Sequence, residues 1–264
     1  MPELVPYLFL GSAPIGPIAL AALQRNDYAP AAVITDTKTS LEDLLDIIEE
    51  KKITFILVVG FGAILKRPLL DSVAGQVLNI HPSLLPQYRG PAPVVQTILD
   101  GATETGVTLI EIDTKVDHGP VLAQERYPLH GTETPDELYK VLTEKGVRMF
   151  LDCIDEYLSG ELEPMPQEHD EATFTSFIQK EDGHLDMSLP AAVLEREIRA
   201  YQGWPGSWVM YKGKRLIIHA ARVIQEDLQI LEVQPEGGKR MPLKAFLAGQ
   251  RISEEEFYKG LKAA

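Results

Sequence analysis

The sequence predicts an α/β fold: a doubly wound, mostly parallel sheet, followed by a smaller, mostly β region. Three observations support this. Apolar strand-like runs alternate with segments of helical periodicity from Val5 to Leu158. Phe55-Ile56-Leu57-Val58-Val59 is an unbroken, β-rich apolar run, the pattern of a strand buried on both faces. Beyond Gly203 the rhythm changes to closely spaced strands with short turns.

Taken in order, Val5 to Leu10 reads as a strand closed by Gly11-Ser12, Ile15 to Leu23 as a helix, and Ala31 to Thr35 as a second strand. Ser40, with Asp43 three residues on, can cap a helix running to Glu50. The Phe55 strand turns through Gly60-Phe61-Gly62-Ala63 into a short helical piece, and the next strand ends in Asn79-Ile80-His81-Pro82. Ala92 to Leu99 is predicted helical, with strands at Val107 to Ile112 and about Val121 to Leu129. Thr134-Pro135-Asp136-Glu137 combines a cap, proline at the first helical position and glutamate in the first turn, and starts a helix to about Leu158. Gly160 to Asp170, rich in Glu and Pro, reads as a domain boundary or linker. A helix over Pro190 to Ala200 and strands at Trp208 to Tyr211, Arg215 to Ala220 and Leu228 to Val233 follow. Two short helices, Lys244 to Gly249 and Ser253 to Leu261, end the chain. The expected division is a catalytic domain over 1–165, a linker with a helix over 166–203, and a small domain over 204–264.

Composition narrows the function classes. With 264 residues, 45% hydrophobic and 24% charged, the chain matches an ordinary globular protein. No apolar run approaches the ~20 residues of a membrane span, and no basic, then apolar, leader is evident. A single cysteine, Cys153, excludes an internal disulfide, and no Cys/His spacing suits zinc, so a metal-free, cytoplasmic protein is expected. Residues 1–200 carry 15 Lys+Arg against 32 Asp+Glu, a net −17, whereas residues 201–264 carry 10 against 7, a net +3. Such asymmetry is compatible with a nucleic-acid-facing segment and equally with ordinary solvated surface.

The stretch from Asn79 to Pro86 carries the chemistry. Period-2 alternation places the Asn79 amide and the His81 imidazole on one face of a strand end, where open α/β sheets keep their active sites. The loop Asp113-Thr114-Lys115-Val116-Asp117-His118-Gly119 follows a strand expected beside that one, so the Asp117 carboxylate can reach His81. An amide and a protonated imidazole can hydrogen-bond the oxyanion of a tetrahedral intermediate. A carboxylate beside the imidazole orients it for proton transfer. This set suits acyl-type transfer to an amine with no enzyme nucleophile, and no Gly-x-Ser-x-Gly elbow, P-loop or dinucleotide fingerprint is present.

The run from Leu78 to Glu125 resembles the enzymes that use 10-formyltetrahydrofolate as formyl donor. It holds the Asn-x-His pair, Ser-Leu-Leu-Pro, Arg89-Gly90, Thr105-Gly106-Val107-Thr108, and an aspartate 36 residues after His81. The resemblance implies a Rossmann-like formyltransferase domain in which Asn79, His81 and Asp117 are catalytic. It further implies a folate site along Gly62 to Leu65, Ser83 to Pro86 and the Asp113 loop. With Phe61 added as part of the same glycine-bounded turn, the expected folate contacts are Phe61, Gly62, Ile64, Leu65, Ser83, Leu84, Leu85, Pro86 and Asp113.

Later segments resemble one branch of that family, the formyltransferases acting on methionyl-tRNA. They are Lys180 to Asp186, Glu195 to Ala200, Trp204-Pro205-Gly206-Ser207-Trp208 and Leu231 to Met241. Two features depart from that branch. The basic insertion it carries after the second strand is replaced by the short, nearly uncharged Thr35 to Ser40, and only about 30 residues separate Trp204 from Gln234-Pro235, so the C-terminal barrel is abbreviated. The expected reaction is formylation of the α-amino group of initiator methionyl-tRNA, by a chain acting as a monomer. The alternative is an N-formyltransferase for a nucleotide-linked amino sugar.

Overall fold

The computed structural model describes residues 5–262. By internal contacts the chain forms two compact units. The first takes in the chain to Val94, Thr103–Leu129 and Asp136–Ser176; the second takes in Val95–Ala102, His130–Pro135 and the chain from Phe177.

In chain order the first elements are β1 (Tyr7–Leu10), α1 (Ile15–Arg25), β2 (Ala32–Ile34), α2 (Leu41–Lys51), β3 (Phe55–Val58), α3 (Arg67–Ser72), β4 (Val77–His81), α4 (Pro93–Leu99), β5 (Glu104–Glu111), β6 (Val121–Pro128) and α5 (Pro135–Ser159). They build a six-stranded sheet in the order β2-β1-β3-β4-β5-β6. The first four strands are parallel; β5 and β6 are antiparallel additions. Strand alternation explains why β1 and β3 are apolar throughout. Leu8, Leu10, Ile56 and Val58 pack with Leu44 and Ile48 of α2 and Leu69 and Leu70 of α3. Tyr7 and Phe55 point the other way and meet Phe150 of α5, with ring centroids 6.4 and 6.2 Å apart.

Two local details set the helices. Ser40 caps α2, its hydroxyl accepting from Asp43 N–H at 3.1 Å, as the sequence predicted. Gly146 sits inside α5, where glycine costs about 0.5–1 kcal/mol relative to alanine. A Cβ there would stand 2.3 Å from Ile80 Cγ2, so glycine is what lets α5 close against β4.

The second unit contains α6 (Ala191–Ala200), β7 (Ser207–Tyr211), β8 (Lys214–Ile224), β9 (Asp227–Pro235), β10 (Met241–Pro242), α7 (Leu243–Gln250) and α8 (Glu254–Lys262). Its four strands form an antiparallel sheet in the order β10-β9-β8-β7. Val209, Tyr211, Leu216, Ile218, Ile230 and Val233 on one face pack with Leu194 and Ile198 of α6, Phe246 of α7 and Phe257 of α8. Arg196 and Arg199 of α6 donate to Leu99 O at 2.9 Å and Glu133 O at 3.0 Å, which ties Val95–Ala102 and His130–Pro135 into this unit.

The linker expected over 166–203 is divided. Residues to Ser176 pack in the first unit, where Met165 and Val121 exchange backbone hydrogen bonds and Arg89 bridges Phe174 as a parallel pair. A Pro- and Glu-rich composition signals a boundary only when its backbone is free, and here it is paired.

Candidate active site

β4 ends in Asn79-Ile80-His81. The two-residue period places Asn79 and His81 on the face that Val77 shares with α2 and α3, whereas Ile80 faces α5. Asp117 arrives by a less direct route. β5 runs antiparallel to β4, so the chain leaves it beside the start of β4, with Ile112 N–H donating to Val77 O at 2.7 Å. Residues 113–118 double back, and the loop closes where Glu111 N–H donates to Pro120 O at 2.9 Å. A Cβ at Gly119 would lie 2.0 Å from Glu111 O, so only glycine lets the two limbs meet. Asp117 itself is left-handed, with φ 46°, a conformation uncommon outside glycine but one that aspartate adopts more readily than most residues.

Three groups converge on the Asp117 carboxylate. Gly90 N–H donates to Oδ2 at 2.8 Å, Asn79 Nδ2 donates to Oδ1 at 3.3 Å, and His81 Nδ1 lies 3.6 Å from Oδ2. The last separation is an ion-pair distance, slightly long for a hydrogen bond. His81 Nε2 is 3.0 Å from the carbonyl oxygen of Tyr88. A carbonyl can only accept, so Nε2 carries a hydrogen and donates. The ring is bracketed by two acceptors, and a proton on Nδ1 would face the carboxylate. With the His81 and Asp117 side chains 6% and 14% exposed, solvent screens this pair little.

Behind Asp117 lies a layer that sequence reasoning missed. Gln167, 7% exposed, donates through Nε2 to the carbonyl oxygens of Asp117 at 2.9 Å and Gly119 at 2.7 Å. Its Oε1 accepts from Arg89 Nε at 3.2 Å and Nη2 at 2.6 Å. Arg89 is also buried; desolvation pulls its pKa below the ordinary value, against the carboxylates of Asp117 and Asp113. Arg89 Nη2 donates to His169 Nδ1 at 2.9 Å, and the His169 ring stacks on His118 with centroids 3.9 Å apart. Desolvation, then the neighbouring His118, Arg89 and Lys115, pulls the His169 pKa down, which suits a nitrogen that must accept. His118 Nδ1 in turn lies 2.6 Å from Asp113 Oδ2. The sequence offered only a single glutamine within a Pro- and Glu-rich stretch as a signal.

The expected folate residues fall in two groups around β4. Phe61 follows β3 with its side chain in the core, and its carbonyl accepts from the Ser12 hydroxyl at 3.1 Å. Gly62 takes φ 70°, Ile64 is 79% exposed, and Leu65 packs partly against the core. After β4, Ser83 is buried and donates to Gln87 O at 2.7 Å, and Leu85 is buried with its N–H on Thr108 Oγ1 at 3.1 Å. Leu84 and Pro86 are half-buried, and Asp113 is engaged with His118. Thus Phe61, Ser83 and Leu85 shape the turns, while Gly62 and Ile64 face outward. The structure brings Asn79, His81 and Asp117 together directly.

Comparison with known proteins follows the same outline. Residues 17–154 match the formyl transferase family profile, and residues 177–228 match the formyl transferase C-terminal domain. A methionyl-tRNA formyltransferase of Chloroflexus aurantiacus is 39% identical over 218 residues, covering 73% of this chain and 70% of that protein. Among solved structures, methionyl-tRNA formyltransferase from Clostridium thermocellum superposes with a TM-score of 0.66 at 19% identity, covering 87% of this chain and 98% of that one. HypX from Aquifex aeolicus, solved in complex with tetrahydrofolic acid, superposes with a TM-score of 0.69 at 18% identity, covering 93% of this chain; this chain spans about half of it, 47%.

Proposed function

The chain belongs to the formyl transferase family, and from that premise we propose that it transfers a formyl group from 10-formyltetrahydrofolate to the α-amino group of initiator methionyl-tRNA. The observation that carries the reading is the convergence of Asn79, His81 and Gly90 on the Asp117 carboxylate. The amine must attack the formyl carbon, charge must develop on the formyl oxygen, and the amine must lose a proton before the donor nitrogen leaves. Asn79 Nδ2 has a second hydrogen beyond the one given to Asp117, and we assign it to that developing oxyanion. We assign His81 to the same oxyanion, because an anionic oxygen is a stronger acceptor than the Tyr88 carbonyl its Nε2–H now serves. Asp117 holds the imidazole from the other side and, with it, moves the amine proton to the donor nitrogen as its bond to the formyl carbon breaks. Ile64, Leu65, Leu84 and Pro86 supply apolar surface suited to a flat heteroaromatic ring.

One observation favours the alternative acceptor. The connection from β2 to α2 is a closed turn, Thr39 N–H donating to Asp36 O at 3.1 Å and Lys38 N–H to Asp36 Oδ1 at 2.9 Å, with no basic excursion. The protein should therefore be incubated with 10-formyltetrahydrofolate and a panel of amines including methionyl-tRNA and a nucleotide-linked amino sugar, with products read by mass. Formyl-methionyl-tRNA is expected; formylation of the sugar alone would overturn the assignment.

A further inference from the structure

We infer that Gln167 is a positioning residue for the transfer: it sets the Asp117 peptide, and through it the carboxylate that Asn79 and His81 share. The inference rests on the reading of those three as the catalytic set. Asp117 sits in the left-handed region, uncommon for a non-glycine residue though open to aspartate, so the direction of its side chain depends on what restrains its backbone. Asp117 O and Gly119 O both accept from the two hydrogens of Gln167 Nε2.

The orientation of that amide is unambiguous. A guanidinium only donates, so the oxygen of Gln167 must face Arg89 and the NH2 must face the two carbonyls. All four hydrogen-bonding positions of the amide are then used. Arg89 is itself fixed, its N–H donating to Thr173 O at 2.9 Å and its carbonyl accepting from Thr175 N–H at 2.7 Å. The following residue gives its N–H to Asp117 Oδ2. The Arg89-Gly90 segment therefore grips Asp117 twice: at the carboxylate through Gly90, and at the peptide through Gln167. Removing the amide hydrogens releases the second grip and leaves the first.

Gln167→Glu keeps the acceptor for Arg89 but turns a hydrogen-less oxygen toward two carbonyls; Gln167→Met keeps the volume and offers neither. With 10-formyltetrahydrofolate and methionyl-tRNA as substrates, kcat should fall about ten- to a hundredfold, because misplacing a group by about 1 Å costs on the order of 10². KM for both substrates should hold. A contribution to folding alone would lower Tm and leave kcat of the folded protein unchanged. The deciding measurement is a cycle with Asp117→Asn under single-turnover conditions. Once the carboxylate is gone, replacing Gln167 should cost little more, whereas independent roles would multiply. Parental kcat in a folded Gln167 variant, or losses that multiply, would overturn the inference. Should Gln167→Met fail to fold, Gln167→Glu, which retains its Arg89 partner, carries the cycle. If Asp117→Asn alone left turnover intact, the catalytic assignment itself would fall.

Discussion

Both units bury polar side chains, but those of the first are joined into a network around β4, whereas the second unit's Thr97, Arg199 and Ser207 stand apart from its apolar core. In the first, His81, Ser83, Arg89, Thr105, Thr108, Thr143 and Gln167 are buried polar residues, and several are linked. Thr108 alone donates to Ser83 O at 2.7 Å, accepts from Leu85 N–H at 3.1 Å and meets Gln124 Nε2 at 2.9 Å, securing the turn after β4. In the second, the core is apolar, with the rings of Tyr211, Phe246 and Phe257 within 5.2–6.0 Å of one another. Arg199 is buried there but paired with Glu195 at 3.0 Å, while other cations lie nearer the surface: Arg240 pairs with Glu232, Arg222 donates to Gln229, and Arg215 lies over Trp208 at 4.2 Å. A buried polar network is costly unless every member is satisfied, so its presence marks where geometry matters more than stability. The second unit is built for a stable core under an exposed polar face.

The largest expected effect lies at the centre of the buried network. Asp117→Asn should reduce turnover by about 10²–10⁴-fold, the typical worth of positioned acid–base assistance, with Tm little changed. A variant that lost activity only by unfolding would erase the distinction between the units. Next comes the apolar core of the second unit. Phe257 is fully buried, and Phe257→Ala should cost about 3–5 kcal/mol, read from the urea midpoint, as large-to-small changes in packed cores do. A loss below about 1 kcal/mol, within the range of volume-conserving swaps, would mean that this core is not tightly packed.

A smaller effect is expected on the second unit's surface. Lys214 is exposed, and Lys214→Glu leaves Arg215 on Trp208 undisturbed. If Lys214 neutralises a phosphate of tRNA, reversing it should flatten the dependence of log affinity on log salt by roughly 0.7–0.9 or more. Titrations at several salt concentrations with an unchanged slope would place the tRNA contact elsewhere. The smallest effect is local to α2: Ser40→Ala removes the cap on Asp43 N–H and should lower stability by about 1 kcal/mol without touching turnover. Calorimetry paired with the formylation assay would show whether those two quantities separate.

What the sequence determined by itself was whatever depends on neighbours a few residues apart. Ser40 and Asp43 marked the start of α2, the alternation of β4 put Asn79 and His81 on one face, and Thr134-Pro135 began α5. The polar strand end and its Asn-x-His pair were sufficient to locate the candidate site, and the acidic loop after the neighbouring strand offered Asp117, which the resemblance then placed in the catalytic set. The tertiary structure decided how Asp117 gets there, since β5 turned out antiparallel and its loop had to fold back over the sheet. It also turned a Pro- and Glu-rich stretch from linker into the brace of that loop: the Gln167 bond to Asp117 spans 50 residues, and no local pattern encodes it. The two-residue β10 went unread for the same reason, because it exists only by pairing with β9. Local propensity and periodicity act over one or two turns of chain. Hydrogen bonds such as those of Gln167 form only after the sheet has brought distant segments together, and they leave almost no trace in the order of residues.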